Sequence, residues 1–331
     1  MRELAWPAWL GIPFLVACAG TWLARRYALR RRLLDHPGER RSHVAATPRG
    51  GGVGIVVAMC GALVAGAVIF PAERALALAI VGGLALVAAV GWIDDHRPLS
   101  PWLRLLAHAL SAAGLGFGMF ATGTGLPFAL VGAAAALVLT NVWNFMDGID
   151  AIAASQALLV ALACALYAGG GPVAWWALAL AAACAGFLPF NLPPARIFLG
   201  DVGSGALGFL LAALIAAAGA RRPADAPLLL LPLSAFLVDA TLTLARRIWR
   251  GERWWLPHAQ HAYQGLARAC HRHGPVTAAY ALWTVAGVAL MRAGAGAGPA
   301  VKMLALSGAC LGGAIAWKWS QRTPSPQEAK E

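Results

Sequence analysis

Long apolar runs separated by short polar segments recur along almost the whole chain. About eleven of them are long enough to cross a bilayer as helices. They are too long and too uniformly apolar for the alternating strands of an outer-membrane barrel. The pattern therefore predicts an all-α polytopic membrane protein, with helices near residues 6–24, 51–70, 75–93, 102–120, 126–143, 152–169, 172–190, 204–220, 227–245, 275–291 and 298–317.

The composition supports this prediction, because 60% of the residues are hydrophobic and only 12% are charged, unlike an average soluble domain. Almost no sequence remains for a soluble domain. We therefore expect a single transmembrane domain over residues 1–320 and a polar tail over residues 321–331. The six cysteines show no paired spacing, which indicates small core residues rather than disulfides or a metal site.

The basic residues indicate the orientation of the helices. Positive charge follows the first apolar run, from Arg25 to Arg32, whereas a signal peptide carries it ahead of the run. The loops after helices one, three, five, seven and nine, together with the tail, hold twenty of the 26 Lys and Arg residues, and the opposite side holds the other six. The positive-inside rule then predicts an outside N-terminus and a cytoplasmic C-terminus. The net charge of +12 follows from this topology, with some attraction to anionic lipid, and no nucleic-acid partner is expected.

Acidic residues are scarce, and five of the eight aspartates fall in three short stretches. These stretches are GWIDDHRPLSPWLR, NVWNFMDGID and FLGDVGSGALG, and they contain Asp94, Asp95, Asp147, Asp150 and Asp201. Each stretch lies just beyond the predicted cytoplasmic end of an odd-numbered helix. Five carboxylates at one face would repel each other unless a cation lies among them, and such oxygen ligands suit Mg²⁺ or Mn²⁺.

Each of these acids also has a structural alternative. The first pair could solvate a helix end, although Ser100 as N-cap and Pro101 at the first helical position already provide the next helix start. The second pair could cap helix six, and Asp201 could form the turn that enters helix eight. One such coincidence is common, whereas three on the same face favour a shared site.

Amides and a histidine-containing loop accompany these acids. Asn141, Asn144 and Asn191 lie near the membrane boundary, where they could orient a metal or a phosphate or bond between helices. The loop RRIWRGERWWLPHAQHAYQGLARACHRHG is rich in Arg and His donors, which an anionic diphosphate needs, and helical spacing would put His258 and His261 on one face. Positive-inside charge, a zinc site and an amphipathic surface helix anchored by the Trp pair are the alternatives.

Two further features stay open. Asp239 lies inside helix nine, where an acid is a functional candidate by default, and Arg246 lies two turns further along the same face. We expect Asp239 to have a structural role or to pair with the basic loop. The run Gly50, Gly51 and Gly52 could let the backbone approach an anion, but no Lys-Ser/Thr follows it, so it is not a nucleotide P-loop.

Taken together, these motifs resemble the polyprenyl-phosphate N-acetylhexosamine-1-phosphate transferases of glycosyltransferase family 4. That family includes the enzymes that start O-antigen and enterobacterial common antigen and the enzyme that makes the first lipid intermediate of peptidoglycan. The resemblance runs in order from about residue 35 to residue 265, through SHVAATPRGGG, DDHRPLSPWLR, NVWNFMDGID, FNLPPARIFLGDVGS and the histidine-containing last loop.

The resemblance implies a Mg²⁺-dependent enzyme of the bacterial inner membrane with its active site facing the cytoplasm. It would transfer an N-acetylated amino-sugar 1-phosphate from a UDP-sugar to undecaprenyl phosphate and release UMP. The segment HAQHAYQ is most similar to O-antigen members that use 6-deoxy amino sugars. The resemblance also allows a homodimer.

Carried over residue by residue, the resemblance implies catalytic roles for Asp94, Asp95 and Asp201, with Asp201 as the principal metal ligand beside Asp95 and Asp147. It implies contacts to the metal or the donor for Asn144, Asp147, Asp150, Asn191, His258 and His261. One of the first two aspartates would act as a base if the lipid phosphate needs one. Ala151 replaces the second glycine of the family's NxxNxxDGxDG motif, and because a helix start tolerates alanine, activity is expected to survive.

Two other classes of membrane protein share some of these features. A secondary transporter places ionisable groups near the bilayer midplane, whereas these acids cluster at one predicted face. A CDP-alcohol phosphatidyltransferase also uses aspartates and Mg²⁺. Its Asp-Gly pair is followed by Ala-Arg and further spaced aspartates, and here the residues after Asp147-Gly148 are IDAIAAS.

Overall fold

The computed structural model describes residues 5–36, 46–256 and 258–321. Residues 42–45 of the SHVAATPRGGG motif and residues 322–331 of the predicted tail lie outside the described residues. The helices are α1 Ala5–Arg31, α2 Val53–Ile69, α3 Arg74–His96, α4 Pro101–Ala121, α5 Leu126–Met146, α6 Ile152–Ala168, α7 Gly171–Asn191, α8 Asp201–Arg221, α9 Ser234–Trp249, α10 Ala262–Cys270, α11 His273–Ala293 and α12 Pro299–Ser320. Short 3₁₀ helices at Pro71–Glu73 and Ala226–Leu230 and an antiparallel pair, β1 Leu34–Asp35 and β2 Thr47–Pro48, complete the described elements.

Eleven of these helices lie at the eleven predicted apolar runs, which confirms the all-α polytopic class. Eight are long and apolar enough to cross a membrane, and α2 and α6 are shorter apolar helices. The ninth predicted run is divided into the 3₁₀ helix Ala226–Leu230 and α9, with Pro232, which lacks a backbone N–H, between them. Helix α10 was not predicted as a separate element. It lies within the basic loop but begins after Trp254 and Trp255, so it is not the surface helix carrying that Trp pair that was one alternative for the loop.

The start of α4 follows the predicted capping pattern. Ser100 has an extended backbone and is the N-cap, and its hydroxyl oxygen accepts a hydrogen bond from the Leu103 N–H at 3.2 Å. Pro101 occupies the first helical position, where its missing N–H has no cost. The preceding aspartates are therefore not needed as N-caps, as the sequence indicated, although Asp94 Oδ1 accepts the Leu99 N–H at 2.5 Å in the turn before Ser100.

The central helix of the bundle is α8, which packs against α3, α5 and α6. In its most apolar 18-residue window 94% of the residues are buried, compared with 6% for α12 at the periphery. A helix that is apolar on all sides is expected to be enclosed by its neighbours. The residues at the N-terminus of α8 are therefore held from several directions.

Two glycines bring neighbouring segments against the first turn of α8. A Cβ atom at Gly91 would lie 2.5 Å from the backbone carbonyl of Asp201, and one at Gly52 would lie 2.2 Å from the α8 backbone. Small residues allow such close helix approach. The N–H groups of Gly51 and Gly52 donate at 2.9 Å to carbonyls of the loop before α8. The glycine run is thus a packing element whose N–H groups are used within the protein.

Candidate active site

Two cavities open at the end of the bundle where α3, α5 and α7 end and α4, α6 and α8 begin. The first has a volume of about 320 Å³ and the second about 240 Å³. They share the lining residues Asn144, Asp147, Gly148, Asp201 and Gln264. The structure therefore brings the three separated acidic motifs into one site, with two chambers that meet at two carboxylates.

The first cavity combines an aromatic mouth with basic side chains. At the mouth the Trp102 ring lies 6.4 Å from the Trp254 ring and 6.0 Å from the Trp255 ring. The remaining polar lining includes Arg104, His108, Asn141, His258 and His261. Apolar rings beside cationic and hydrogen-bonding groups suit an anion that carries an apolar chain.

The second cavity is more polar. Its side chains beyond the shared residues include Asp35, Arg49, Asp95, Asp150, Asn191, Phe198 and His273. Arg49 and His273 are donors suited to phosphate or carbonyl oxygens, and Phe198 offers an aromatic face for stacking a planar ring. This combination fits a nucleotide.

Arg104 joins two of the predicted aspartates. Its Nη1 atom lies 2.8 Å from Asp94 Oδ2 and 3.3 Å from Asp201 Oδ2. The Asn144 amide nitrogen donates to Asp201 Oδ1 at 2.9 Å and contacts Ser204 Oγ at 3.0 Å. Two aspartates from separate motifs therefore meet at one guanidinium, which partly offsets their repulsion, and Asn144 from a third motif is bonded to one of them.

Asp95 faces a different way from its neighbour Asp94. Its Oδ1 accepts the backbone N–H of Asp201 and its Oδ2 that of Val202, both at 3.2 Å, and Arg49 Nε lies 3.8 Å from Oδ1. The side chain is only 2% exposed. Both carboxylate oxygens thus contact the N-terminus of α8, where a negative charge is favourable.

Asp147 lies directly after α5 and lines both cavities. Burial, followed by the charges of Asp95 and Asp150, raises the pKa of Asp147 from its ordinary value near 3.8 to about 7. Within the described ranges no cationic side chain forms an ion pair with it. A carboxylate crowded by like charges is a position where a cation would be favourable.

Asp150 and Asn191 line the second cavity and connect the segments around it. Asp150 Oδ1 lies 3.1 Å from His273 Nδ1, and Oδ2 accepts the backbone N–H of Ala195 at 3.1 Å. The Asn191 side-chain oxygen Oδ1 accepts the backbone N–H of Ala151 at 3.0 Å, and its side-chain nitrogen Nδ2 donates to the Ile197 carbonyl in the loop before α8 at 2.9 Å. Both side chains are buried, so they link the α5–α6 loop to neighbouring segments.

Ala151 is buried and has a left-handed backbone, with φ at 63°. It occupies the position at which the resembled family carries glycine, and glycine adopts this conformation at no steric cost. An L-residue with a Cβ atom costs about 1–2 kcal/mol there. The left-handed backbone at this helix start is therefore less favourable for alanine than the sequence-based expectation assumed.

His258 and His261 lie side by side, with ring centroids 4.9 Å apart. The two histidines were predicted to share a face of one helix, and that prediction was wrong. Helix α10 begins only at Ala262, and His258 belongs to the preceding loop. Burial, then the charges of His261, Arg247 and Arg246, lowers the pKa of His258 to about 4. Without a bound anion, His258 is therefore neutral at pH 7.

His261 is the N-cap residue of α10 and is 3% exposed. Its Nδ1 lies 3.4 Å from Asp239 Oδ1, and in the described part of the chain its Nε2 is buried without a hydrogen-bond partner. Arg246, which lies two turns along the same face of α9, donates to Gln260 at 3.3 Å rather than to Asp239. Asp239 therefore pairs with the basic loop through a histidine.

The donor set fits a magnesium ion that is only partly held by protein. Among the described residues, no three His, Cys, Asp or Glu side chains are placed to hold a metal on their own. Mg²⁺ commonly binds through one or two carboxylates, water and substrate phosphates. Asp147 and Asp201, which line both chambers, are the carboxylates suited to that role.

Several site residues were not selected from the sequence. Arg49 and Arg104 lie inside the quoted motifs PRGGG and LSPWLR, so their places within those motifs were the available signal. His108 follows Arg104 by one helical turn on α4 and lies 3.4 Å from Asn141. His273 was among the Arg and His donors of the basic loop, and Gln264 lies in the same loop without a signal of its own. The packing of α10 and α11 brings both to the second cavity.

Comparison with known proteins agrees with this site. The family model described as "Glycosyl transferase family 4" matches residues 77–219. The decaprenyl-phosphate N-acetylglucosaminephosphotransferase of Mycolicibacterium smegmatis is 30% identical over 328 residues, covering 86% of this chain and 80% of the relative. The phospho-N-acetylmuramoyl-pentapeptide-transferase of Moorella thermoacetica is 36% identical over 199 residues, covering 51% of this chain and 61% of the relative. A probable undecaprenyl-phosphate N-acetylglucosaminyl 1-phosphate transferase of Bacillus subtilis is 27% identical over 270 residues, covering 74% and 73%.

Proposed function

The chain belongs to glycosyl transferase family 4, and on that basis we propose that it transfers an N-acetylated amino-sugar 1-phosphate from a UDP-sugar to undecaprenyl phosphate. The products are UMP and a lipid-linked diphosphate sugar. We further propose that this product initiates O-antigen or another cell-envelope polysaccharide. The enzyme acts in the bacterial inner membrane, with its active site facing the cytoplasm, in agreement with the distribution of Lys and Arg residues.

The observation that carries this proposal is the junction of two chambers at Asn144, Asp147 and Asp201. A transfer between two phosphate-bearing substrates needs both reacting groups at one point while their other parts extend in different directions. We assign the lipid phosphate to the first cavity, whose mouth is aromatic and whose interior carries Arg104. We assign the uridine diphosphate to the second cavity, which contains Arg49, His273 and Phe198.

The reaction is a displacement at the β-phosphorus of the donor. An oxyanion of the lipid phosphate forms the new P–O bond, and the bond from the β-phosphorus to the bridging oxygen breaks. UMP leaves with that oxygen and its electron pair. The bond between the sugar C1 and its oxygen stays intact, so the anomeric configuration is retained.

Both substrates are anions, and the side chains at the junction can reduce the repulsion between them. Arg104 lies between Asp94 and Asp201, where it can approach a phosphate oxygen as well as the carboxylates. Asn144 orients Asp201 through a 2.9 Å hydrogen bond. His258 and His261 supply further donors at the edge of the first cavity. Mg²⁺ bound by Asp147 and Asp201 would add positive charge at the transferring phosphoryl group.

The experiment measures UMP release by the purified protein in detergent with undecaprenyl phosphate. A panel of UDP-N-acetylated amino sugars, including 6-deoxy sugars, is compared with Mg²⁺ present or chelated. We expect release that depends on the lipid, on Mg²⁺ and on one donor or a small group of donors. Analysis of the lipid product should find a diphosphate sugar with the anomeric configuration of the donor.

The alternative hypothesis, a secondary transporter, predicts a different result in this assay. A well-folded preparation that releases no UMP with any donor, but moves a substrate across proteoliposomes, would contradict the proposed transfer. A suitable control is Asp225→Asn, because Asp225 pairs with Lys302 at 2.7 Å beyond the other end of α8. That variant should release UMP at the wild-type rate per folded molecule.

A further inference from the structure

Asp239 on α9 is the centre of a buried hydrogen-bond network outside the two cavities. Its Oδ1 accepts from the Ala262 backbone N–H at 2.9 Å and from the Thr243 hydroxyl at 3.2 Å. Its Oδ2 accepts from the Tyr263 backbone N–H at 3.2 Å and from the Tyr280 hydroxyl at 2.7 Å. With 3% exposure, this carboxylate is held by groups from α9, α10 and α11.

The two backbone donors are the first two N–H groups of α10. Such groups have no partner within their own helix and need an external acceptor when they are buried. An N-cap side chain usually supplies it from the same segment. Here the acceptor comes from a different helix, so Asp239 fixes where α10 begins relative to α9.

The start of α10 is in turn packed against the acidic site. The Tyr263 hydroxyl donates to the Phe145 carbonyl at the end of α5 at 3.0 Å. A Cβ atom at Gly148 would lie 2.2 Å from that hydroxyl, so the tyrosine occupies the space beside the loop that carries Asp147. Moving the first turn of α10 would therefore disturb the junction of the two cavities.

Asp239 also determines the position of His261. Asp239 Oδ1 lies 3.4 Å from His261 Nδ1, and the imidazole lies near the rings of Phe145 and Tyr263, at centroid distances of 6.4 and 5.8 Å. Because Nδ1 faces Asp239, the buried Nε2, which like Nδ1 has no hydrogen-bond partner in the described ranges, is the ring nitrogen left for a ligand. A buried polar atom without a partner is costly unless a ligand satisfies it.

We propose that Asp239 is a positioning residue of the active site, which sets the start of α10 and thereby holds His261 at the first cavity for phosphoryl transfer. This inference rests on the proposed function, because it assigns His261 to that reaction. Asp239 itself touches no substrate and acts through His261 and the first turn of α10.

The test is a double-mutant cycle of Asp239→Asn and His261→Ala, measured as kcat/KM for UMP release. Each single variant should lose at least about tenfold, and the double variant should be within about threefold of His261→Ala, because residues that act through one another are not additive. A double variant that shows the product of the two single losses would overturn the inference. Asp239→Asn with activity within about twofold of wild type would do the same.

Amide hydrogen exchange provides a readout that does not need turnover. In Asp239→Asn the amides of Ala262 and Tyr263 should exchange at least about tenfold faster than in wild type, since one carboxylate acceptor is lost. Asp225→Asn, which changes a buried aspartate at the other end of the bundle, should leave these two amides unchanged. Wild-type exchange in Asp239→Asn would exclude a role for Asp239 in setting the start of α10.

The variants also separate the two proposals. If the wild-type protein releases no UMP with any donor, the proposed function fails, and the exchange of the two amides still decides whether Asp239 fixes α10. If Asp239→Asn does not fold, Tyr280→Phe replaces it, because this change removes one donor to Asp239 and keeps the ring. Faster exchange at Ala262 and Tyr263 in that variant supports the inference, and unchanged exchange overturns it.

Discussion

The carboxylate of Asp95 caps the helix that begins at Asp201, 106 residues further along the chain. The adjacent Asp94 instead forms an ion pair with Arg104, which also contacts the Asp201 carboxylate. Two consecutive aspartates thus reach the same residue by different routes, one through its backbone and the other through a shared arginine. This division predicts different consequences for their replacement.

Asp95→Asn should destabilise the protein more than Asp94→Asn. An asparagine at position 95 keeps one acceptor oxygen for two buried N–H groups, and leaving one of them unpaired costs about 1–3 kcal/mol. At position 94 the two donors are the Leu99 N–H and the Arg104 guanidinium. The amide oxygen can keep the bond from Leu99, and the Arg104 side chain, which is 27% exposed, can turn to solvent instead of being left buried and unpaired. Thermal unfolding in detergent should show a lower Tm for Asp95→Asn, whereas UMP release should fall in both variants. Equal Tm values would contradict the capping role.

Asp201→Asn should lower UMP release by at least about a hundredfold while the protein still folds. The amide keeps a similar shape beside Asn144 and Arg104 but lacks the charge that a divalent cation needs. Turnover and Tm are measured together, and Mn²⁺ binding is followed by electron paramagnetic resonance. Wild-type turnover or wild-type Mn²⁺ affinity in this variant would remove Asp201 from the metal site.

Asp147→Asn should stabilise the protein in Mg²⁺-free buffer while it abolishes turnover. The folded-state pKa of Asp147 is raised to about 7, so the native protein retains a proton that the unfolded chain loses above about pH 4. Stability from this group therefore falls as the pH rises from about 4 to 7 and stays low above 7.

The measurement for Asp147→Asn is Tm at pH 5 and pH 8, with chelator and with Mg²⁺. Without Mg²⁺ the advantage of the variant over wild type should be larger at pH 8 than at pH 5 by about 2–3 kcal/mol, because the interval from pH 5 to the folded-state pKa of about 7 is about two pH units at about 1.36 kcal/mol each. Added Mg²⁺ should reduce this advantage by stabilising the wild-type carboxylate. An advantage that does not change with pH would show that the charge of Asp147 is not crowded in the folded state.

His258→Gln should retain more activity than His258→Ala. Because the pKa of His258 is lowered to about 4, the ring enters the reaction as a neutral hydrogen-bonding group, and a glutamine amide can also donate. The alanine variant should lose at least about tenfold in turnover, as expected for a lost contact of about 1.4 kcal/mol. His261→Ala should lose a similar factor. Equal losses in the two His258 variants would require the imidazole itself.

Ala151→Gly should raise the free energy of unfolding by about 1 kcal/mol without a change in kcat/KM. Glycine removes the clash of Cβ in the left-handed conformation at φ 63°, although its greater freedom in the unfolded chain offsets part of the gain. The backbone N–H of residue 151 still donates to Asn191. Thermal unfolding provides the measurement, and a lower Tm for the glycine variant would contradict a strained alanine.

The helices and the grouping of the acids followed from the sequence for simple reasons. Lipid-spanning segments must be long, apolar and internally hydrogen-bonded, so the eleven runs matched helices. Charged side chains are costly inside the membrane, so the aspartates appeared where helices end, and alternation of the helices put those ends on one side. The motifs containing Asp94, Asp147 and Asp201 were found in this way.

What each side chain does at that end depended on tertiary packing. Three features show this. Asp95 accepts backbone N–H groups at the start of α8, Asp239 accepts those at the start of α10, and the left-handed Ala151 donates to Asn191. In each case the partner lies on a different segment of the chain. Local patterns specify which segments are helical and which faces are apolar. They do not specify how closely two helices approach. At Gly91 the absence of a side chain lets α3 lie against the backbone of Asp201, and the Asp95 carboxylate on α3 accepts the N–H groups of Asp201 and Val202.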